Sequence, residues 1–443
     1  MKIAWFTPFS ANSAIGRSGR GVVEALAGLA SVDLFCFDKD ALHATSIPVR
    51  RFASHRDISP ATLAEYDFAV YNFGNYLPYH LDLFEVSRRT PGICVLHDFV
   101  LHHFFAAYYL EHHRQSGEYV AAMERLYGAP GKAAALASIA PRGQRVWESD
   151  QSVDFPFFEE VITGARGVIT HSEFFRSRVE RVWAGPLRRL PLPYAVERHD
   201  DKTLPRDRLG VEPGRLVILT IGHVNPNKRV NAVIEALGRV RASVPAFQYV
   251  IAGPCPDAYR LDLEALARKS GVADAVTFAG RVSDQALHSL LEHADVCVNL
   301  RYPVIEGASA SVIEEMLYAK PVIVSDVGFY AELPTDAVRK VDPHSVDHLA
   351  AALRDLLGDP APRTAMGARA HEFAAEEFRS DRYAAQLLEF AKEIRRAQPI
   401  LAVTDRLAAE CARIGVTSSM SVLDGLAATL EELFGNPPPS TSR

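Results

Sequence analysis

Between residues 216 and 345, short apolar runs alternate with helix-like stretches, and this alternation constrains the fold more than any other feature. Leu216–Gly222, Phe247–Gly253, Val276–Gly280, Asp295–Leu300 and Pro321–Ser325 read as buried strands. Val230–Arg241, Leu261–Lys269 and Ser283–Ala294 read as the helices between them. Such a succession predicts a parallel sheet covered by helices. The first 200 residues open in the same α/β manner, with strands at Lys2–Pro8, Val32–Phe37, Asp67–Phe73, Gly92–His97 and Gly167–Ser172. A loop, Phe9–Arg17, and a helix near Ser18–Leu29 are expected after the first strand. Residues 104–165 read as mostly helical, with breaks at Gly128–Gly131 and Pro141–Gly143. The charged, proline-dotted residues 195–214 read as a linker. After Asp342 helices run to about Arg395, amphipathic helices follow over 397–435, and the Pro/Ser end from Asn436 is expected to be disordered.

The stretch Tyr302–Asp326 carries the chemistry. It lies between two apolar strands as a loop of small residues followed by a helix. Gly307, Ala308 and Ser309 let a ligand approach the backbone. The helix start offers free N–H groups and a partial positive charge, which suit an anion. Glu306 stands just before that start and Glu314 about one turn in. The arrangement suits a ligand with a diphosphate in the middle and hydroxyl-rich sugars at both ends. The plainer alternative is a surface helix whose two glutamates are merely solvated.

His97 ends a strand, where open parallel sheets bind their ligands, and Asp98 follows it. His80, His102 and His103 lie nearby in sequence, but no acid–His set has metal-ligand spacing, so no metal is expected. Gly16, Gly19 and Gly21 are spaced Gly-x-x-Gly-x-Gly, which is not the dinucleotide fingerprint, so hydride transfer is disfavoured. A net charge of −6 without a basic run argues against nucleic-acid binding. Five cysteines without a Cys-x-x-Cys pair fit a reducing cytosol. The N-terminus reads as a strand rather than a signal peptide, and no apolar run approaches the ~20 residues of a membrane span.

Glu306 and Glu314, with seven residues between them and Lys320-Pro-Val soon after, resemble the Glu-x7-Glu signature of retaining GT-B glycosyltransferases, best that of glycosyltransferase family 4. Where that family usually carries Phe-Gly-Leu-Pro, this chain has Ala308-Ser309-Ala310-Ser311. The resemblance implies an α/β GT-B fold, two Rossmann-like domains facing across a cleft, with extra C-terminal helices. Its domains would be residues 1–200, binding the acceptor and carrying the helical insertion at about 104–165, and 201–375, binding the nucleotide-sugar. A crossover helix at 376–396 and a helical extension at 397–443 with a disordered tail would follow. Glu306 would bind the donor sugar hydroxyls and Glu314 the ribose. Lys228, with His223 in place of the family's Arg and Arg229 beside it, would hold the diphosphate together with the N–H groups of Gly307, Ala308, Ser309 and Ala310. Arg281 and Val282 would meet the base, Gly16 would lie against the diphosphate or acceptor, and His97 would face the reacting sugar carbon, oriented by Asp98. His97, Glu306 and Lys228 are thus the implied catalytic set. The implied reaction is metal-independent and needs no cofactor beyond a UDP- or GDP-linked sugar. It would move a hexose to a glycan, lipid-linked or protein acceptor in surface polysaccharide or glycoconjugate biosynthesis. The implied setting is the cytoplasm, with docking at the inner membrane face and homo-oligomerisation left open. A non-catalytic GT-B partner subunit and a nucleotide-sugar epimerase remain alternatives.

Overall fold

The computed structural model describes residues 1–196, 203–416, 425, 426 and 429. Residues 1–387 form one compact unit and the chain from Leu388 a second. Within the first unit the chain builds two sheets, both parallel throughout, so the expected α/β GT-B architecture is the one observed.

The first sheet has seven strands: β1 (Lys2–Phe6), β2 (Ser31–Cys36), β3 (Val49–Arg51), β4 (Phe68–Phe73), β5 (Ile93–Leu96), β6 (Gly167–Thr170) and β7 (Leu187–Arg189), in the order β3-β2-β1-β4-β5-β6-β7. The second has six: β8 (Leu216–Ile221), β9 (Phe247–Ala252), β10 (Val276–Gly280), β11 (Val296–Asn299), β12 (Val322–Ser325) and β13 (Val338–Val341), in the order β10-β9-β8-β11-β12-β13. Central strands such as β4, β5 and β11 are buried at every residue, as helices on both faces require. The edge strands β3 and β7 carry Val-Arg-Arg and Leu-Arg-Arg. Those cations discourage pairing with another chain and hide the strands from a hydrophobicity pattern.

The first helix begins at Ala14, not near Ser18. Ser13 caps it, its Oγ accepting the Gly16 N–H at 3.0 Å. Gly16, Gly19 and Gly21 are therefore helical residues. A Cβ on Gly16 would stand 2.7 Å from the Pro8 carbonyl, and one on Gly21 2.7 Å from Ser380 Oγ. The insertion contains the helix Ser116–Ile139, which breaks at Gly128 (φ 65°). One helix runs from Ser380 to Arg413 without interruption at 397, although it contains Pro399. Its start lies on the first lobe, with the Tyr383 ring 6.1 Å from His171. From Leu388 this helix belongs to the second unit, and the proline-rich tail lies outside the described residues, as does 197–202 of the expected linker.

The lobes of the first unit are joined by backbone. Val100 N–H donates to Ile305 O at 2.9 Å, and Gly307 N–H to His97 O at 2.8 Å. On the other side the Glu332 carboxylate accepts the Glu173 and Phe174 N–H groups at 2.8 and 2.6 Å, an anion at a helix start.

Candidate functional site

A cleft of about 370 Å³ opens between the two sheets. The first lobe contributes the Ala11–Ala14 turn and Arg17. The second contributes Gly222, Gly253, Arg281, Val282, Asp284, Ala310, Ser311 and Glu314, and Tyr194 closes one side. Parallel strands bring these residues together, because the turns after β8, β9, β10 and β11 all emerge at the same sheet edge.

The floor depends on close backbone approach. Gly222 has φ 89°, in the left-handed region, and a Cβ on Gly253 would stand 2.0 Å from Gly222 O. Lys228 sits beneath this turn, 6% exposed, and its ammonium donates to Ile221 O. Burial and the nearby Arg301 lower its pKa, while Glu315 and Glu306 oppose that. Lys228 thus charges the cleft floor from below rather than lining it. His223 is exposed and does not line the cleft, so it does not stand in for a buried cation here. Arg229 begins the next helix in the left-handed conformation (φ 55°), and its buried Nε has no partner.

The helix Ala310–Leu317 points its start at the cleft. Ser309 caps it, with Oγ 3.5 Å from the Val312 N–H. The four small residues divide in use. Ala310 lines the cleft, Ser309 caps, Ala308 is buried, and the Gly307 N–H is spent on His97 O. Gly307 therefore joins the lobes instead of offering its N–H to an anion. Of the four, Ala310 alone lines the cleft, and Ser311, one residue beyond the expected set, lines it too.

The two glutamates are held differently. Glu314 lines the cleft; burial raises its pKa, and the Tyr194 hydroxyl and Arg17 pull it back. Arg17 and Asp284 form an ion pair across the cleft at 3.5 Å. Glu306 lies where the lobes meet, its backbone bridged to Asp98. Its Oε1 accepts from Arg301 Nε at 2.9 Å and from the Tyr330 hydroxyl. Burial opposes the Arg301 charge, but Tyr330, Glu306 and Glu315 more than offset it. Behind them Glu315 is fully buried, with both oxygens 3.1 Å from Asn299 Nδ2. Burial pushes its pKa up, and Asn299, Lys228 and Arg301 hold it down. Arg301 and Glu315 complete a buried charge network around Lys228 that sequence reading passed over.

The first-lobe histidines also differ from expectation. His97 spends both ring nitrogens inside the protein, Nε2 at 3.1 Å from Asn72 Oδ1 and Nδ1 at 3.1 Å from His171 Nε2. It has no free nitrogen for a sugar, and it is Asn72 and His171 that orient it. Asp98 instead accepts the Asn75 N–H at 2.8 Å, and burial raises its pKa to about 7. His102 bonds Phe155 O and the Tyr119 hydroxyl, both at 2.7 Å, as a packing residue. Gly16 faces Pro8 and Phe9, and Arg17 takes the cleft position instead. Among the described residues no cluster of three His, Cys, Asp or Glu side chains could hold a metal, and no helix is long and apolar enough to cross a membrane.

Comparison with known proteins agrees with this geometry. The family model described as glycosyl transferases group 1 matches residues 201–373. A GDP-mannose-dependent alpha-(1-6)-phosphatidylinositol monomannoside mannosyltransferase of Mycobacterium tuberculosis is 30% identical over 294 residues, covering 59% of this chain and 74% of that protein. A D-inositol 3-phosphate glycosyltransferase of Geodermatophilus obscurus is 30% identical over 227 residues, 48% of this chain and 50% of that one. Among solved structures, Anabaena HepE in complex with UDP and glucose superposes with a TM-score of 0.58 at 18% identity, covering 89% of this chain and 100% of its own. Sucrose-phosphate synthase from Thermosynechococcus elongatus gives 0.59 at 19%, covering 90% and 100%. At such identities the structures speak for the fold.

Proposed function

The chain belongs to the glycosyl transferases of group 1, and from that membership we propose that it moves a hexosyl group from a UDP- or GDP-linked sugar to an acceptor hydroxyl with retention, as a family 4 enzyme. The observation that carries this is the inter-lobe cleft, in which Glu314 and the start of the helix Ala310–Leu317 face Arg17 and the Ala11–Ala14 turn. A ribose would bind Glu314, whose two oxygens can accept both hydroxyls. The base would lie against Arg281 and Val282. The diphosphate would lie over Gly222, near the N–H groups of Ala310 and Ser311, with Lys228 beneath. The sugar would reach toward Glu306 and the lobe junction. The mannosyltransferase relative is named for GDP-mannose and HepE is described with UDP, which supports a nucleoside diphosphate donor without choosing its base.

In the proposed reaction the acceptor oxygen attacks the anomeric carbon on the face the leaving group departs from. The bond from that carbon to the β-phosphate oxygen breaks, and both its electrons leave with the phosphate. The acceptor proton passes to the departing phosphate oxygen. Lys228 and the helix start stabilise the charge that builds there. Arg301 fixes the Glu306 carboxylate toward the sugar side, as a buried bidentate-capable cation can. Acceptors are proposed to be glycans or lipid-linked glycoconjugate precursors, at the cytoplasmic side, and no metal is required. The test is transfer from UDP- and GDP-hexoses, with and without chelator, for wild type and for Glu314→Ala and Lys228→Ala. We expect turnover in chelator and losses on the order of 10²-fold or more in the variants. Unchanged turnover in the variants would remove the site assignment, and strict metal dependence would remove the mechanism.

A further inference from the structure

The hydrogen-bond chain through His97 and His171 has acceptors at both ends. At one end Asn72 Nδ2 donates to Phe6 O at 2.9 Å, which fixes the amide, since the opposite orientation would set two oxygens face to face. Asn72 Oδ1 therefore faces His97 Nε2 at 3.1 Å and can only accept, so that nitrogen carries a proton. At the other end His171 Nδ1 lies 2.9 Å from Leu190 O, which also only accepts, so this nitrogen carries a proton too. In between, His97 Nδ1 and His171 Nε2 meet at 3.1 Å. Two lone pairs at that distance repel, whereas a proton between them makes an N–H···N bond. The chain thus asks for one proton more than two neutral imidazoles hold.

We propose that His97 and His171 share one excess proton and act together as a single buried cation, with His171 the positioning residue for His97 and for the Glu306 loop bound to it. The link to the loop is direct, because His97 O accepts the Gly307 N–H. With both ring nitrogens bonded, the His97 side chain is pinned, and its carbonyl holds the residue that follows Glu306.

Burial disfavours charge on both rings. Asp98, next in the chain, turns its carboxyl to the Asn75 N–H and is itself pushed to about 7 by burial, and Glu306, across the Asp98–Glu306 backbone bridge, is held by Arg301. From the helix Leu77–Arg89, His80 faces His97 and is held neutral by its own burial. From the helix that starts at Ser380, Tyr383 presents only its ring to His171. Neither acid is free to balance the pair, so the extra proton is held by the geometry of the hydrogen-bond chain and not by a neighbouring anion. Rising pH removes it, returns both rings to neutrality and sets the two inner lone pairs against each other.

Only the consequence for turnover rests on the proposed glycosyl transfer; the proton count does not. The experiment is nitrogen NMR of the full chain labelled at histidine, with His97→Gln and His171→Gln used for assignment. At pH 7 three of the four ring nitrogens of the pair are expected to carry protons, and one proton per ring would overturn the proposal. In turnover, His171→Phe is expected to lower kcat on the order of tenfold with little change in the donor KM. His171→Gln, which can donate to a neutral His97, is expected to restore kcat and to abolish the wild type's loss of kcat at alkaline pH. A His171→Gln enzyme that keeps the wild-type alkaline limb would overturn the proposal even if the NMR count stood. An inactive wild type would sink the glycosyltransferase reading and leave the NMR count as the deciding result.

Discussion

Replacing Glu315 by Gln removes one negative charge from the network under the cleft and changes little else. The side chain is fully buried, and Gln can still accept from Asn299 Nδ2. In the wild type the carboxylate faces two buried cations, Lys228 and Arg301. Arg301 keeps its contact with Glu306 in the variant, so the cation left without its anion is Lys228. Breaking a buried ion pair by removing one partner costs about 3–5 kcal/mol. Lys228 can limit the damage by losing its proton, and neutralising an ordinary lysine at pH 7 costs about 4.6 kcal/mol. Both routes give a loss of about 3–5 kcal/mol at pH 7. The sign with pH follows. A lysine neutral in the folded variant but protonated when unfolded means that the unfolded state binds more protons, so stability rises with pH. The gap to wild type should then shrink by up to about 1.4 kcal/mol per pH unit as pH rises from 7 toward 10. The assay is urea denaturation of both proteins followed by far-UV circular dichroism at pH 7, 8 and 9. Tryptophan fluorescence is unsuitable, because Trp5, Trp147 and Trp183 all precede the second sheet. A gap below about 1 kcal/mol at pH 7 would mean that Lys228 and Glu315 are already neutral together. A large gap that does not move with pH would mean that lost packing, not charge, is responsible.

Two further perturbations test separate parts of the structure. His80 is 2% exposed, and burial lowers its pKa to about 3, so the unfolded state takes up its proton first as pH falls. Its contribution to stability is present above the ordinary histidine value and is lost on acidification toward pH 3; at pH 5.5 the loss is about 1.4 kcal/mol. His80→Gln should flatten that limb in acid titrations of denaturant midpoint, and an unchanged limb would show that His80 is not its source. Gly253→Ala would place a methyl 2.0 Å from Gly222 O, forcing the two turns of the cleft floor apart. We expect a loss of about 1–3 kcal/mol and weaker nucleotide binding by calorimetry; binding equal to wild type would argue that the nucleoside diphosphate does not lie on this floor.

How much of this could be read from the chain depended on whether the signal was local. The second sheet was legible because β8 to β12 are mainly apolar runs bounded by turn residues, although β10, at the edge, is half-buried and not buried as expected; the other edge, β13, with Arg and Lys at its centre, was not. The edge strands β3 and β7 were not, because their paired Arg residues remove the hydrophobic signal that marks a strand. The places of Glu314, Arg281 and Val282 on the cleft were legible for the same local reason, since they lie just past a strand end or one turn into a helix. Gly16 was misplaced by a single cap: Ser13 starts the helix early, and that turn carries Arg17 into the cleft in its stead.

The residues missed altogether are those whose meaning lies in a distant partner. His171 acts through His97, Asn72 through Phe6 and His97, and Arg301 through Lys228, Glu315 and the loop that returns Glu306 to it. Glu315 alone left a trace. It lies three residues after the fully buried Val312, on the same helical face, and one before the fully buried Met316. A carboxyl on the buried face of a short helix keeps its proton or finds a cation in the core, and Lys228 was already expected near the same turn. Joining the two from sequence would have located the network before any coordinate. It would also have shifted attention from His223, which stands in solvent, to Arg301, the cation that meets Glu306. Beside Arg17 and Arg281, which line the cleft, part of the site's positive charge is therefore carried in the second lobe's interior, where it is screened least, so substitutions at Lys228, Arg301 and Glu315 should alter stability and turnover together, while His223→Ala should alter neither.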